Sequence, residues 1–169
     1  MSSQVRFKKP GRLIDDDLEL VCVQKVSADP VHGFAARYEF EMRRPGRSRP
    51  LGVIRLRIGS IATVRYNGHI GYEVKKHCRG HRYAARSCRL LMPLARAHGV
   101  KALWLTMDPK NIPSQKTCEF IGAKYIDTVR IPKSHGMYQD GARYVRRYRL
   151  RVTRVEPISG SDGKSRKDE

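Results

Sequence analysis

The sequence has 169 residues, and its 35 lysines and arginines stand against 16 aspartates and glutamates, a formal net charge of +19 with a pI near 10.3. That length suits one domain with a substantial core. No apolar run approaches the ~20 residues that span a bilayer, and Met1–Lys9 lacks the apolar segment of a secretion signal, so the expectation is a cytoplasmic protein with no membrane partner. The four cysteines, Cys22, Cys78, Cys88 and Cys118, have no close-paired spacing, which argues against a metal cluster and for free thiols in a reducing compartment.

In chain order, Leu18–Gln24 reads as a first strand after the polar run Asp15-Asp16-Asp17. The loop Ala28–Gly33 leads to a second strand near Phe34–Arg43, and the turn Arg44–Pro50 joins it to a third containing Ile54–Ile58. Tyr38, Phe40 and Met42 alternate with Glu39 and Glu41, and Ile54, Leu56 and Ile58 alternate with Arg55 and Arg57. As antiparallel neighbours, these strands would set the two arginines beside the two carboxylates on a solvated face.

A fourth strand near His69–Lys75 runs into the basic turn Lys76-His77-Cys78-Arg79-Gly80-His81-Arg82. The helix that follows, through about His98, carries Ala84, Cys88, Leu91, Leu94 and Ala95 at helical spacing. Pro93 lies inside it and cannot donate the N–H that would reach back to Arg89, and His98-Gly99 stops it. Ala102–Met107 is an apolar strand, and Pro113–Ile121 is a short helix ended by Gly122. Two last strands flank the loop Pro132–Gly141, long enough to form part of a site. In the final strand Tyr144, Tyr148, Leu150 and Val152 are expected to face inward, and Arg147, Arg149 and Arg151 outward. Residues 1–155 form one domain in this reading, and 156–169 form a polar tail expected to be disordered.

The turn before the long helix points unpaired backbone N–H groups, the positive end of the helix dipole and several cations at one spot, which is what a pyrophosphate requires. The order strand, Arg79-Gly80 turn, helix, strand, then Asn111-x-x-Ser114-x-x-x-Cys118-Glu119-x-x-Gly122, resembles the GNAT superfamily of acetyl-CoA-dependent N-acetyltransferases over roughly residues 50–150, near the branch that acetylates ribosomal-protein N-termini and related small-molecule enzymes. The resemblance implies a mixed α/β fold with a splayed, mostly antiparallel sheet and acetyl-CoA as co-substrate. It also implies direct transfer of acetyl to a primary amine of a small molecule or protein.

Two departures from the family pattern stand out. Its pyrophosphate signature, Q/R-x-x-G-x-G/A, becomes His77-Cys78-Arg79-Gly80-His81-Arg82, so an arginine replaces a small residue and must either turn away or contact a phosphate itself. The one or two helices usual between the first two strands have no room here. The acceptor side is then open, or covered by a second copy in a homodimer.

The resemblance assigns cofactor binding to Val74, Arg79, Gly80, His81, Arg82, Tyr83, Ala84 and Asn111, with the N–H near Val74 as oxyanion donor. Glu73, on the strand entering the turn, is the candidate base, with a solvent-facing carboxylate as the alternative. His69 is a candidate relay or a structural histidine. Ser114 and Cys118 are candidates to serve the departing thiolate, although Cys118 also reads as core and Asn111 as a helix cap. A rival reading is a basic nucleic-acid- or ribosome-associated module whose His77 and Arg82 have weakened cofactor binding, its net charge favouring non-specific association with polyanions.

Overall fold

Residues 4–152 are described by the computed structural model, and the expected tail from residue 156 lies outside them. The elements are β1 (Leu13–Asp15), β2 (Leu18–Val26), β3 (Ala36–Arg43), β4 (Pro50–Ile58), β5 (Ile70–Val74), α1 (Tyr83–Ala97), β6 (Ala102–Met107), α2 (Ile112–Phe120), β7 (Lys124–Arg130), α3 (Gly136–Gln139) and β8 (Tyr144–Arg151). They build one mixed sheet of eight strands in the order β1-β2-β3-β4-β5-β6-β8-β7. Every neighbouring pair is antiparallel except β5 and β6, which run parallel and register at the single pair Ile70–Leu105. None of the described helices is long and apolar enough to cross a membrane.

Alternation along β3 and β4 sends Tyr38, Phe40, Met42, Ile54 and Leu56 to one face, where they are fully buried. Cys88, Leu91 and Ala95 of α1 join the same core. At the seam a tyrosine tip is tied in: the Tyr38 hydroxyl meets Nε2 of His98 at 2.6 Å and accepts from the backbone N–H of Lys8 at 2.7 Å. The expected chain order holds, with an addition at the start. Asp15 ends β1 and Asp16-Asp17 is the turn of a β1–β2 hairpin, with Asp16 at φ 51°. Its carboxylates hold α1, because Arg86 bridges Asp15 and Asp17 at 2.7 and 2.8 Å and the Tyr83 hydroxyl donates to Asp17 at 2.7 Å. The Tyr83 hydrogen bond and the Arg86 guanidinium keep the Asp17 carboxyl below its usual pKa.

The opposite face of β3 and β4 is polar, and no helix lies between β2 and β3 to cover it. Glu39 and Arg55 pair at 3.3 Å as the alternation predicts. The register corrects the rest of that expectation, since Glu41 lies opposite Val53 and Arg57 opposite Arg37. Glu41 pairs with Arg43 instead, and Arg57 forms no carboxylate bridge among the described residues.

The last strand also departs from its expected parity. Tyr148 and Leu150 are buried, but Tyr144 is 47% exposed and Arg147 only 7%. Arg147 meets Asp127 through two bonds of 2.7 and 2.6 Å and lies over the Trp104 ring. This half of the sheet is covered on its second face too, where Val64 and Val145 are buried and Thr106 donates to the Tyr66 carbonyl at 2.7 Å.

His69 is a structural residue by position. Only 2% exposed, it accepts the Trp104 N–H on Nδ1 at 2.9 Å and meets the Gly59 carbonyl at 3.4 Å through Nε2. It borders a cavity of about 660 Å³ at the end of β5 and β6 away from the basic turn.

Two expectations follow from this packing. A Cβ on Gly52 would stand 2.4 Å from the Glu73 carbonyl and 2.9 Å from Cα of Val74, both backbone, so Gly52→Ala must displace the end of β5 and cost about 1–3 kcal/mol in urea unfolding. Burial holds His69 below the ordinary histidine pKa, its bond to Gly59 opposing this and the Arg57 charge adding to it. An unfolded histidine takes up a proton as pH falls below ~6.5 while folded His69 does not, so stability is lost from that pH downward. The drop in urea midpoint between pH 7.5 and 5.5 should therefore be smaller in His69→Gln than in the parent, the remainder reflecting His98, whose pKa burial also lowers.

Candidate active site

Beyond Ile70 and Leu105 the parallel strands part. The Lys75 N–H donates to the Leu51 carbonyl and the Arg57 N–H to the His69 carbonyl; in an antiparallel ladder this turns the backbone groups of the alternate residues, 70, 72 and 74, toward β6. Past the Ile70–Leu105 pair that side is the opening, so Tyr72 and Val74 present backbone polar groups to it without a strand partner. The Val74 carbonyl is taken by Nε of Arg79 at 3.1 Å.

Two grooves flank the opening. The first, about 340 Å³, is bordered by Val74, Arg79, Gly80, Ala84 and the start of α2. At its wall α1 begins without a side-chain cap and without an acidic residue in its first turn, so the N–H groups of Tyr83, Ala84 and Ala85 have no intrahelical acceptor. Gly80 sits at φ 95° with open space where a Cβ would be. The second groove, about 330 Å³, is bordered by Arg57, Asn67, Gly71, Leu105, Thr106 and Met137; Met137 comes from α3, the short helix within the segment before β8. Tyr72, Asn111 and Ser114 border both grooves, so the two meet there.

Arg82 and Tyr83 also border the first groove, and the Arg82 head group is engaged at its edge. The Arg82 backbone is left-handed at φ 58°, the conformation that the usual small residue adopts at least cost, and its guanidinium stacks on the Phe120 ring at 3.7 Å. Arg89 approaches the same ring at 5.0 Å. His81 is exposed beside the Tyr83 ring at 5.3 Å, and Tyr83 is an anchor whose ring is buried. The arginine at the small-residue position thus borders the groove with its guanidinium held on the Phe120 ring.

The remaining candidates divide. Asn111 caps α2, its Oδ1 accepting the Ser114 N–H at 3.2 Å, and it reaches both grooves as well. Ser114 stands at the junction. Cys118 is wholly buried in the core and borders neither groove, and burial pushes its thiol up to about 12. Glu73 is exposed and borders the first groove; among the described residues it is the one carboxylate on either.

Sequence reasoning missed Tyr72. Its hydroxyl is buried at the junction with no hydrogen-bond partner among the described residues. Burial raises its pKa to about 12, although the nearby hydroxyls of Ser114 and Thr117 oppose the rise without reaching hydrogen-bond geometry. The available signal was parity, since Tyr72 shares with Val74 the side of the strand that faces the opening.

Solved structures share this architecture. A candidate ribosomal-protein-serine acetyltransferase from Vibrio cholerae superposes with TM-score 0.61 at 13% identity, over 85% of this chain and 99% of that one. The ribosomal-protein-S5-alanine acetyltransferase of Vibrio fischeri gives 0.55 at 16%, over 72% and 64%. The microcin C7 self-immunity acetyltransferase MccE, solved with acetyl-CoA and AMP, gives 0.52 at 14%, over 68% of this chain, which spans 61% of MccE's length. At these identities the likeness is one of fold. No curated protein matches the sequence. The family model described as acetyltransferase (GNAT) domain matches residues 14–124, well over half of the chain, and with the parted parallel strands and the uncapped helix of the basic turn in place, the chain belongs to the GNAT acetyltransferase family.

Proposed function

We propose that the protein is an acetyl-CoA-dependent N-acetyltransferase acting on a primary amine by direct attack. The observation that carries this reading is the junction at Tyr72, Asn111 and Ser114, where a groove suited to a phosphate-bearing cofactor meets a second, open groove. The free N–H groups from Gly80 to Ala84 take the pyrophosphate, the Arg79 N–H being already given to the Lys76 carbonyl, and Asn111 and the exposed edge of β5 take the pantetheine arm. The thioester then lies at the junction. The amine enters from the second groove, a C–N bond forms and the C–S bond breaks. The Val74 N–H receives the oxyanion, Glu73 accepts the amine proton through water, and the thiolate leaves with a proton from the Tyr72 hydroxyl, beside Ser114. Cys118 has no place in this scheme.

Tyr72 is the sharpest point of test. With its pKa near 12 it stays protonated throughout the neutral range, so it contributes no basic limb to the pH–rate profile below pH 10. Tyr72→Phe should lower kcat by ~10²-fold with the KM for acetyl-CoA little changed. Steady-state assays of CoA release would check this, and a parallel loss in KM would make Tyr72 a packing residue. Calorimetric titration with CoA tests the turn. Gly80→Leu, forced into a left-handed backbone, should weaken CoA by about tenfold or more, whereas Arg82→Gly should stay within about threefold of the parent because that guanidinium is already engaged by the Phe120 ring.

A further inference from the structure

Arg57 breaks the pattern of its neighbours. On the polar face of the sheet, Arg37 and Arg55 pair with Glu39 and Arg43 pairs with Glu41. In the rest of the fold, Arg86 and Arg147 also have carboxylates. Arg57 is half-buried on that same face and has none among the described residues, although a charge withdrawn from water ordinarily finds a counter-charge. Its surroundings are positive: burial lowers its pKa first, then Arg55 and Arg37, while Glu39 opposes them only weakly.

The guanidinium is nonetheless held in place. Nη1 donates to the carbonyls of Asn67 at 3.1 Å and Gly68 at 3.4 Å. A Cβ on Gly71 would stand 3.2 Å from Nη1 and 3.4 Å from Nη2, so the head group lies across β5 over a residue without a side chain. Arg57, Gly71 and Asn67 all border the second groove, and no carboxylate does. Oδ1 of Asn67 is buried there with no hydrogen-bond partner among the described residues. A fixed planar cation with no carboxylate beside it among the described residues makes this groove a poor host for a simple polyamine and a good one for a bidentate anion, while the unmet Asn67 oxygen calls for an N–H or O–H donor on the same molecule.

We propose that Arg57 is a specificity-determining residue that binds a carboxylate on the acceptor, so that the substrate is an amine bearing a carboxylate nearby. This rests on the transferase reading, with the second groove as the acceptor's. The carboxylate occupies the guanidinium edge left free by the two backbone carbonyls, and the amine then points toward the junction at Tyr72. Two sources share that chemistry, a free aminocarboxylate and an acidic residue close to a protein N-terminus.

The test compares β-alanine, γ-aminobutyrate and 5-aminovalerate with their amides, and N-terminal aspartyl with N-terminal asparaginyl peptide amides. Binding to the CoA-saturated protein is read by calorimetry and transfer by CoA release. At least one carboxylate should bind about tenfold or more tightly than its amide, the difference should collapse in Arg57→Met and partly survive in Arg57→Lys, and CoA affinity should be retained in both variants. A preference among the small acids assigns a small-molecule acceptor, and one confined to the aspartyl peptide assigns a protein N-terminus. Equal binding of every acid and its amide overturns the inference even if transfer occurs, as does a preference that survives in Arg57→Met. Arg57-dependent carboxylate binding without any transfer supports the inference and counts against the transferase reading alone.

Discussion

Strands β5 and β6 run parallel yet pair at one position, Ile70 with Leu105, and the rest of the site follows from that brevity. A parallel pair needs a crossover, supplied here by the basic turn and α1, so the segment that separates the strands also delivers the helix start that faces the gap. Because the strands part, the outward backbone of Tyr72 and Val74 is left for a ligand. Gly52 sets where they part. Its missing side chain admits the Glu73–Val74 backbone against β4 at a distance no other residue allows, which fixes the end of β5 against the sheet while β6 diverges.

Much of this was legible in the sequence because it depends on local rules. Period-two alternation in Tyr38–Met42 and Ile54–Ile58, helical spacing from Ala84 to Ala95 and the glycine stops all report on one element at a time, and each element formed. What depended on pairing between distant segments was harder to read. Arg57 looked like another member of a cross-strand ion-pair set until the register placed Arg37 opposite it. Arg147 looked outward because nothing local signals that residues near Val64 fold over the second face of β6 and β8. The three aspartates before β2 read as a polar lead-in, since their partners Tyr83 and Arg86 lie some seventy residues on. Tyr72 needed both pieces of information, the parity of β5 and the proximity of α2.

The positive charge looks different once the contacts are known. Arg37, Arg43, Arg55, Arg86 and Arg147 are held by carboxylates. Arg82, Arg143 and Arg146 lie over the aromatic rings of Phe120, Tyr138 and Tyr125 at 3.7, 3.8 and 4.3 Å. Arginine serves here as a flat, adhesive side chain as much as a charge. The excess of cations thus arises partly from packing, and that makes the half-buried guanidinium of Arg57, which has neither a carboxylate nor an aromatic ring among the described residues, more conspicuous.

Phe120, 41% exposed at the end of α2, has Arg82 and Arg89 of the turn and α1 on its ring, and Nη2 of Arg89 also reaches the Phe120 carbonyl at 3.4 Å. The turn and the two helices that border the first groove are thereby clipped together at its edge. The turn is thus held by contacts that the chain supplies itself. A ligand that enters loses its own freedom but does not have to immobilise its receptor, so the entropy of association falls on the smaller partner.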